Sequence, residues 1–193
     1  MKFVIHRVNQ ISELKRIPKE YGCEIDVRTD GSKLILHHDP FAKGDNFIDY
    51  LDEYNNGTLV LNIKESGIEN LVIEEVRKRN IKSYFLLDVE FPYFYSSSKK
   101  GEKNIAVRFS EMEPIENVAL FQNKIDWVWI DTITKLPLNK SNRNIIETFK
   151  SCLVCPSRWG NPNQIGLMKN ELKELNVDLD LVMTKEKYIK DWI

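Results

Sequence analysis

The chain has 193 residues, 42% hydrophobic and 30% charged, enough for one domain with a full core. A net charge of −1 leaves no basic excess of the kind a nucleic-acid partner demands. No apolar stretch approaches the roughly 18 residues of a membrane span, and the opening run Met1-Lys-Phe-Val-Ile breaks at His6, too early for a secretion signal.

The first expected strand is Phe3–His6, followed at once by Arg7. A helix over Ser12–Ile17 stops at Pro18, which cannot continue it. Cys23–Val27 is the second strand, and Leu34–His37 is a short apolar excursion after it. Phe47–Tyr54 carries apolar or aromatic residues at helical spacing and leads to the strand Leu59–Ile63. Ile68–Arg79 repeats the helical pattern and ends in Arg77-Lys-Arg79, a basic cluster that suits a helix C-terminus. Strands at Tyr84–Asp88, Ile105–Phe109, Trp127–Asp131, Cys152–Cys155 and Leu179–Thr184 follow. Helical patterns at Ile115–Phe121, Arg143–Phe149 (capped by Ser141 or Asn142) and Gln164–Leu175 lie among them. Ser96–Glu102, rich in Ser, Lys and Gly, reads as a mobile loop.

Short apolar strands that alternate with helices imply an α/β fold with a parallel sheet. Eight such units point to a single domain over residues 1–193, a compact (β/α)8 TIM-type barrel with short helices. A doubly wound open sheet competes, but no glycine-rich phosphate loop follows any strand. Cys152 and Cys155 form a C-x-x-C, yet both sit in an expected strand, and no second pair completes a zinc site. Three cysteines fit a reducing, cytoplasmic compartment.

In a parallel barrel the chemistry lies at the C-terminal strand ends. There the sequence places His6-Arg7, Glu24 and Asp26, Asn62 and Lys64, Asp88 and Glu90, Arg108 and Ser110, Asp131, Ser157-Arg158, and Lys185. Strand alternation points Glu24 and Asp26 to one face, where two carboxylates repel unless a cation joins them. With His6 and His38 at other strand ends, the set reads as a metal-assisted acid–base site. His37, next to His38, reads as a packing or solvent-facing residue. Trp127 and Trp129 share a face and fill a small barrel if they point inward.

At His6-Arg7, Glu24-x-Asp26 and His38-Asp39 the chain resembles the glycerophosphodiester phosphodiesterase family, and Leu59-Val-Leu-Asn-Ile-Lys64 aligns with that family's third-strand Glu-x-Lys. It looks most like a small subgroup associated with bacterial surface-polysaccharide genes, through runs such as Ile17-Pro-Lys-Glu-Tyr-Gly, Asn104-Ile-Ala-Val-Arg-Phe-Ser and Trp127-Val-Trp-Ile-Asp. Three departures stand out. Val8-Asn9-Gln10-Ile11 replaces the family's Gly and its Pro-Glu-Asn-Thr run, Asn62 stands where a carboxylate is usual, and the insertion after strand two is reduced to Phe41–Asn56.

The resemblance implies a metal-dependent phosphodiesterase of a glycerophosphodiester or phosphodiester-linked glycan. Glu24, Asp26 and Asn62 would hold Mg²⁺ or Ca²⁺, both of which take oxygen ligands. Arg7 and Lys64 would contact phosphate, Arg108 and Trp159 would line the substrate pocket, and His6 and His38 would be general base and general acid. Asp88 is a candidate substitute for the missing carboxylate, and Arg108 with Asp131 reads as an ion pair. The nucleophile is either water or a substrate hydroxyl that would leave a cyclic phosphate. The alternative is a non-catalytic barrel that binds a phosphorylated sugar or serves as a partner in polysaccharide assembly, a reading that Asn62 favours.

Overall fold

The structure is a computed structural model that describes residues 1–193. It divides into two compact units, one of residues 4–95 and one of residues 1–3 with 96–193.

In the 4–95 unit, β1 (Lys2–Ile5) leads through α1 (Ile11–Leu14) to β2 (Gly22–Asp30) and β3 (Lys33–Leu36). A two-residue strand β4 (Asp45–Asn46), α2 (Phe47–Glu53), β5 (Leu59–Ile63), α3 (Glu69–Lys78) and β6 (Tyr84–Leu87) follow. The strand β2 is the hub of this unit. It runs parallel to β1, with Ile5 beside Cys23, and parallel to β5, with Asp26 beside Asn62. Beyond Val27 it turns to antiparallel pairing with β3. Residues 22–27 and 59–63 are all buried, as expected of strands covered on both faces. Glycine is required at the start of β2, because a Cβ on Gly22 would lie 2.1 Å from the Thr58 carbonyl oxygen. Helix α2 is capped by Asn46, whose Oδ1 accepts from the Ile48 and Asp49 amides at 2.8 and 3.2 Å. Helix α3 buries Val72, Ile73 and Val76 and ends in Arg77 and Lys78.

Helix α4 (Phe91–Lys99) comes next in the chain and corrects one expectation. Ser96–Lys99 are helical, not part of a loop, because Phe94, Ser97 and Ser98 are all buried. Three serines in a row hid a packed helix face.

In the 96–193 unit, β7 (Ala106–Phe109), β8 (Trp127–Ile130), β9 (Lys150–Val154) and β10 (Leu181–Thr184) pair in parallel in that order. They alternate with α5 (Ile115–Ala119), α6 (Arg143–Ile146) and α7 (Ile165–Leu175), and α8 (Ile189–Trp192) follows β10. Trp127 and Trp129 are buried, as are Val128 and Ile130 on the other face. Asn142 precedes α6 as expected but does not cap it; its Oδ1 accepts from Asn139 N–H instead. All three cysteines are buried thiols, and Cys155 Sγ accepts from Ser157 Oγ and Trp192 Nε1. No helix is long and apolar enough to cross a membrane. The strand-and-helix alternation is thus an α/β architecture with mainly parallel strands.

Candidate active site

The candidate residues of the 4–95 unit lie on or just beyond four strands, β1, β2, β3 and β5. Glu24 and Asp26 lie two apart on β2, so they share a face; Asn62 is level with Asp26 on β5, and Lys64 is the next residue on that face. His6 and Arg7 follow β1 directly. Glu24 and Asp26 are 2% and 1% exposed.

The two carboxylates are held very differently. Asp26 has cationic partners: Lys64 Nζ lies 3.1 Å from Oδ1, and Arg7 Nε lies 3.6 Å from Oδ2. Asn9 adds a two-point clasp, its Nδ2 donating to Asp26 Oδ2 and its Oδ1 accepting from the Asp26 amide, each at 2.8 Å. Glu24 has only neutral donors at hydrogen-bond distance. The Arg7 amide donates to its Oε2 and Asn62 Nδ2 to its Oε1, each at 3.0 Å, while His6 Nε2 stands 3.9 Å from Oε2. Burial and the neighbouring Asp26 charge therefore push the Glu24 carboxyl up to about 7, against smaller downward pulls from Asn62, Lys64 and Arg7.

Arg7 adopts φ +63°, a left-handed conformation that non-glycine residues seldom take. That geometry lets its amide reach Glu24 while its guanidinium reaches Asp26.

A divalent cation fits this donor set. Glu24 is the carboxylate whose charge is least compensated, and Asn62 Oδ1 is buried with no hydrogen-bond partner. An oxygen left unsatisfied beside two carboxylates is a natural hard-cation ligand. The site is lean, however: no three His, Cys, Asp or Glu side chains converge as a metal-binding group. Asp88, the candidate replacement carboxylate, is exposed just after β6, with φ +57°.

His38 lies just beyond β3. Its Nδ1 is 2.7 Å from Asp39 Oδ1, an interaction that holds the Asp39 carboxyl below its usual range. That bond engages Nδ1 and so fixes the orientation of the ring. His37 turns to the backbone instead, its Nδ1 accepting from the Asp39 amide at 3.0 Å.

Arg108 and Trp159 belong to the 96–193 unit. Arg108 Nη2 is bonded to Asp131 Oδ2, as the pairing suggested, and Arg108 Nε stands 3.6 Å from Glu113 Oε1. Trp129 Nε1 also donates to Asp131, at 3.2 Å. Trp159 is 38% exposed, with the Arg158 guanidinium 5.2 Å from its ring centre. A cavity of about 600 Å³ in this unit is lined by Asp126, Lys150 and Asp180, at or just before the N-terminal strand ends, and by none of the candidate residues.

Sequence reasoning passed over Asn9 and Arg28. The Arg28 side chain donates to the carbonyls of His38 and Lys64. Alternation places Arg28 on the face of Glu24 and Asp26, a signal that could have found it, whereas only an expected contact with Asp26 would have singled out Asn9.

No family model matches the chain, and no curated protein matches it by sequence. Solved structures do match. The glycerophosphodiester phosphodiesterase from Agrobacterium tumefaciens superposes with a TM-score of 0.67 at 11% identity, covering 99% of each chain. A second Agrobacterium tumefaciens structure gives 0.67 at 10% identity, over 100% of this chain and 97% of the other. A glycerophosphoryl diester phosphodiesterase from Parabacteroides distasonis gives 0.61 at 13% identity, over 100% of this chain and 85% of the other. At such identities the likeness speaks for the fold alone.

Proposed function

We propose that this chain, which has the fold of glycerophosphodiester phosphodiesterases, is a metal-dependent phosphodiesterase of a small glycerophosphodiester or phosphodiester-linked glycan. The observation that carries the reading is the buried Glu24–Asp26 pair, joined by Arg7, Lys64 and Asn62 at the ends of three strands. The (β/α)8 character of the fold belongs to the same reading, supported by solved structures that match 99% or more of the chain.

Glu24, Asp26 and the Asn62 carbonyl oxygen would hold Mg²⁺ or Ca²⁺, which when bound supplies positive charge to the non-bridging phosphate oxygens. Arg7 and Lys64 bring further positive charge to the phosphate, and their grip on Asp26 keeps them beside the metal ligands. His6, near Glu24, takes the proton from the attacking hydroxyl. His38, oriented by Asp39, gives a proton from Nε2 to the leaving oxygen. Arg108, bonded to Asp131, and the exposed face of Trp159 belong to the 96–193 unit and stay expectations of the sequence pattern alone. The buried thiols agree with a reducing, cytoplasmic setting, and the net charge of −1 argues against a nucleic-acid substrate. A role in surface-polysaccharide metabolism rests on the sequence resemblance.

The test is turnover of an alkyl phosphodiester by the purified chain with Mg²⁺, with Ca²⁺ and with chelator. Release of phosphomonoester or cyclic phosphate that chelator abolishes supports the reading. Binding of phosphate or metal without turnover on any diester would favour the non-catalytic alternative, which the Asn62 substitution already suggests.

A further inference from the structure

Arg28 occupies a point where the backbone has two carbonyl groups to satisfy. Two chains leave the β2 ladder at the same level, His37 N–H donating to the Asp26 carbonyl at 3.0 Å and Lys64 N–H to the Val27 carbonyl at 3.1 Å. A carbonyl next along each departing chain then meets a side chain. Arg28 Nε donates to the His38 carbonyl at 2.9 Å, and Nη1 donates to the Lys64 carbonyl at 3.3 Å. Glu65 steadies the guanidinium, its Oε1 lying 3.5 Å from Nη1, and Thr29 Oγ1 fixes Glu65 Oε2 at 2.5 Å. The Arg28 side chain is only 15% exposed.

We infer that Arg28 is a positioning residue that locks the backbones of His38 and Lys64 to β2, and so holds the proton donor and a phosphate contact in register with Asp26. The inference rests on the phosphodiesterase reading. Arg28 lies two residues beyond Asp26 on the same strand face. A planar fork can serve two carbonyls at once, whereas a lysine ammonium on its flexible stem serves them with poor geometry. Displacement of a reacting group by about 1 Å can cost on the order of 10²-fold in rate. The lock therefore matters most for the step that needs His38.

The experiment compares two diesters, one with a glycerol leaving group that needs protonation and bis(p-nitrophenyl) phosphate, which does not. Arg28→Met should lower turnover on the glycerol diester by roughly 10- to 100-fold, with a loss of only a few-fold on the nitrophenyl diester. It should also raise KM on both, through Lys64. Arg28→Lys should recover part of the loss. In a His38→Ala background, Arg28→Met should no longer distinguish the two substrates. Should Arg28→Met fail to fold by circular dichroism, Arg28→Gln, which keeps an amide donor, carries the same comparison. Equal losses on both diesters with the fold intact, or no loss on either, would overturn the positioning role alone. A wild-type chain inactive on both diesters would overturn the phosphodiesterase reading and this role with it.

Discussion

Asn62 Nδ2 donates to Glu24 Oε1 across 3.0 Å, while the oxygen of the same amide lies buried without a partner. One side chain thus hydrogen-bonds a carboxylate through one atom and leaves an unsatisfied buried oxygen at the other. Replacing that amide by a carboxylate removes the donor and puts a charge at the unsatisfied position. Asn62→Asp should destabilise the metal-free protein, because a third buried carboxylate joins two others. It should also tighten Mg²⁺ binding by about tenfold or more, since a charged ligand replaces a neutral one. Calorimetry and thermal shifts with and without Mg²⁺ check both halves; an affinity no better than wild type would remove residue 62 from the metal site.

The raised Glu24 carboxyl gives the metal-free protein a signed pH dependence. The folded state holds this proton up to about 7, whereas an ordinary glutamate releases it near 4.5. Its contribution to stability is full below that lower value and is lost as pH rises through the upper one. In chelator, the Tm difference between wild type and Glu24→Gln should therefore move against the wild type from pH 5 to pH 8. A difference that stays flat, or moves the other way, would contradict the burial of an uncompensated charge.

His6→Ala and His38→Ala should each keep the fold and lose roughly 10²-fold or more in turnover on an alkyl diester. Their combined loss should be less than the product of the two, because both serve one transition state. His37→Ala should cost far less, since its ring hydrogen-bonds to the Asp39 backbone and to no carboxylate. Near-native turnover by His38→Ala on a leaving group that needs protonation would remove it as the acid.

Burial pushes the Cys23 thiol up to about 12, so the reactive thiolate is scarce at neutral pH. Cys152 and Cys155 are equally enclosed, each at 0% exposure. In native protein, aromatic disulfide reagents should label none of the three on a timescale of minutes and all three in denaturant. Rapid labelling of any one would show a local opening of its strand.

The parts of this molecule that could be read from sequence are those with local signals. Every apolar run expected as a strand is one, within a few residues, because a strand buried on both faces must be apolar throughout. The pairing of Glu24 with Asp26 follows from alternation alone, and Leu59–Ile63 matches its expected limits. Helix α4 was hidden because Ser97 and Ser98 pack where apolar residues would have announced a face. The two-residue β4 is too short for any period. Asn9 and Arg28 act across 17 and 36 residues of chain, on Asp26 and the Lys64 carbonyl, and such contacts exist only once β1, β2 and β5 are side by side.

The left-handed backbone at Arg7 sets backbone strain against the side chain's hold on Asp26 at a single codon. A residue with a Cβ in this conformation costs roughly 1–2 kcal/mol, a cost that glycine does not incur. Arg7→Gly should relax the turn and keep the amide bonded to Glu24, yet it removes the guanidinium beside Asp26. A library selected for heat resistance alone should therefore drift to glycine at position 7, and one selected for turnover should retain arginine. The outcome of such a contest would reveal which demand has shaped this strand end.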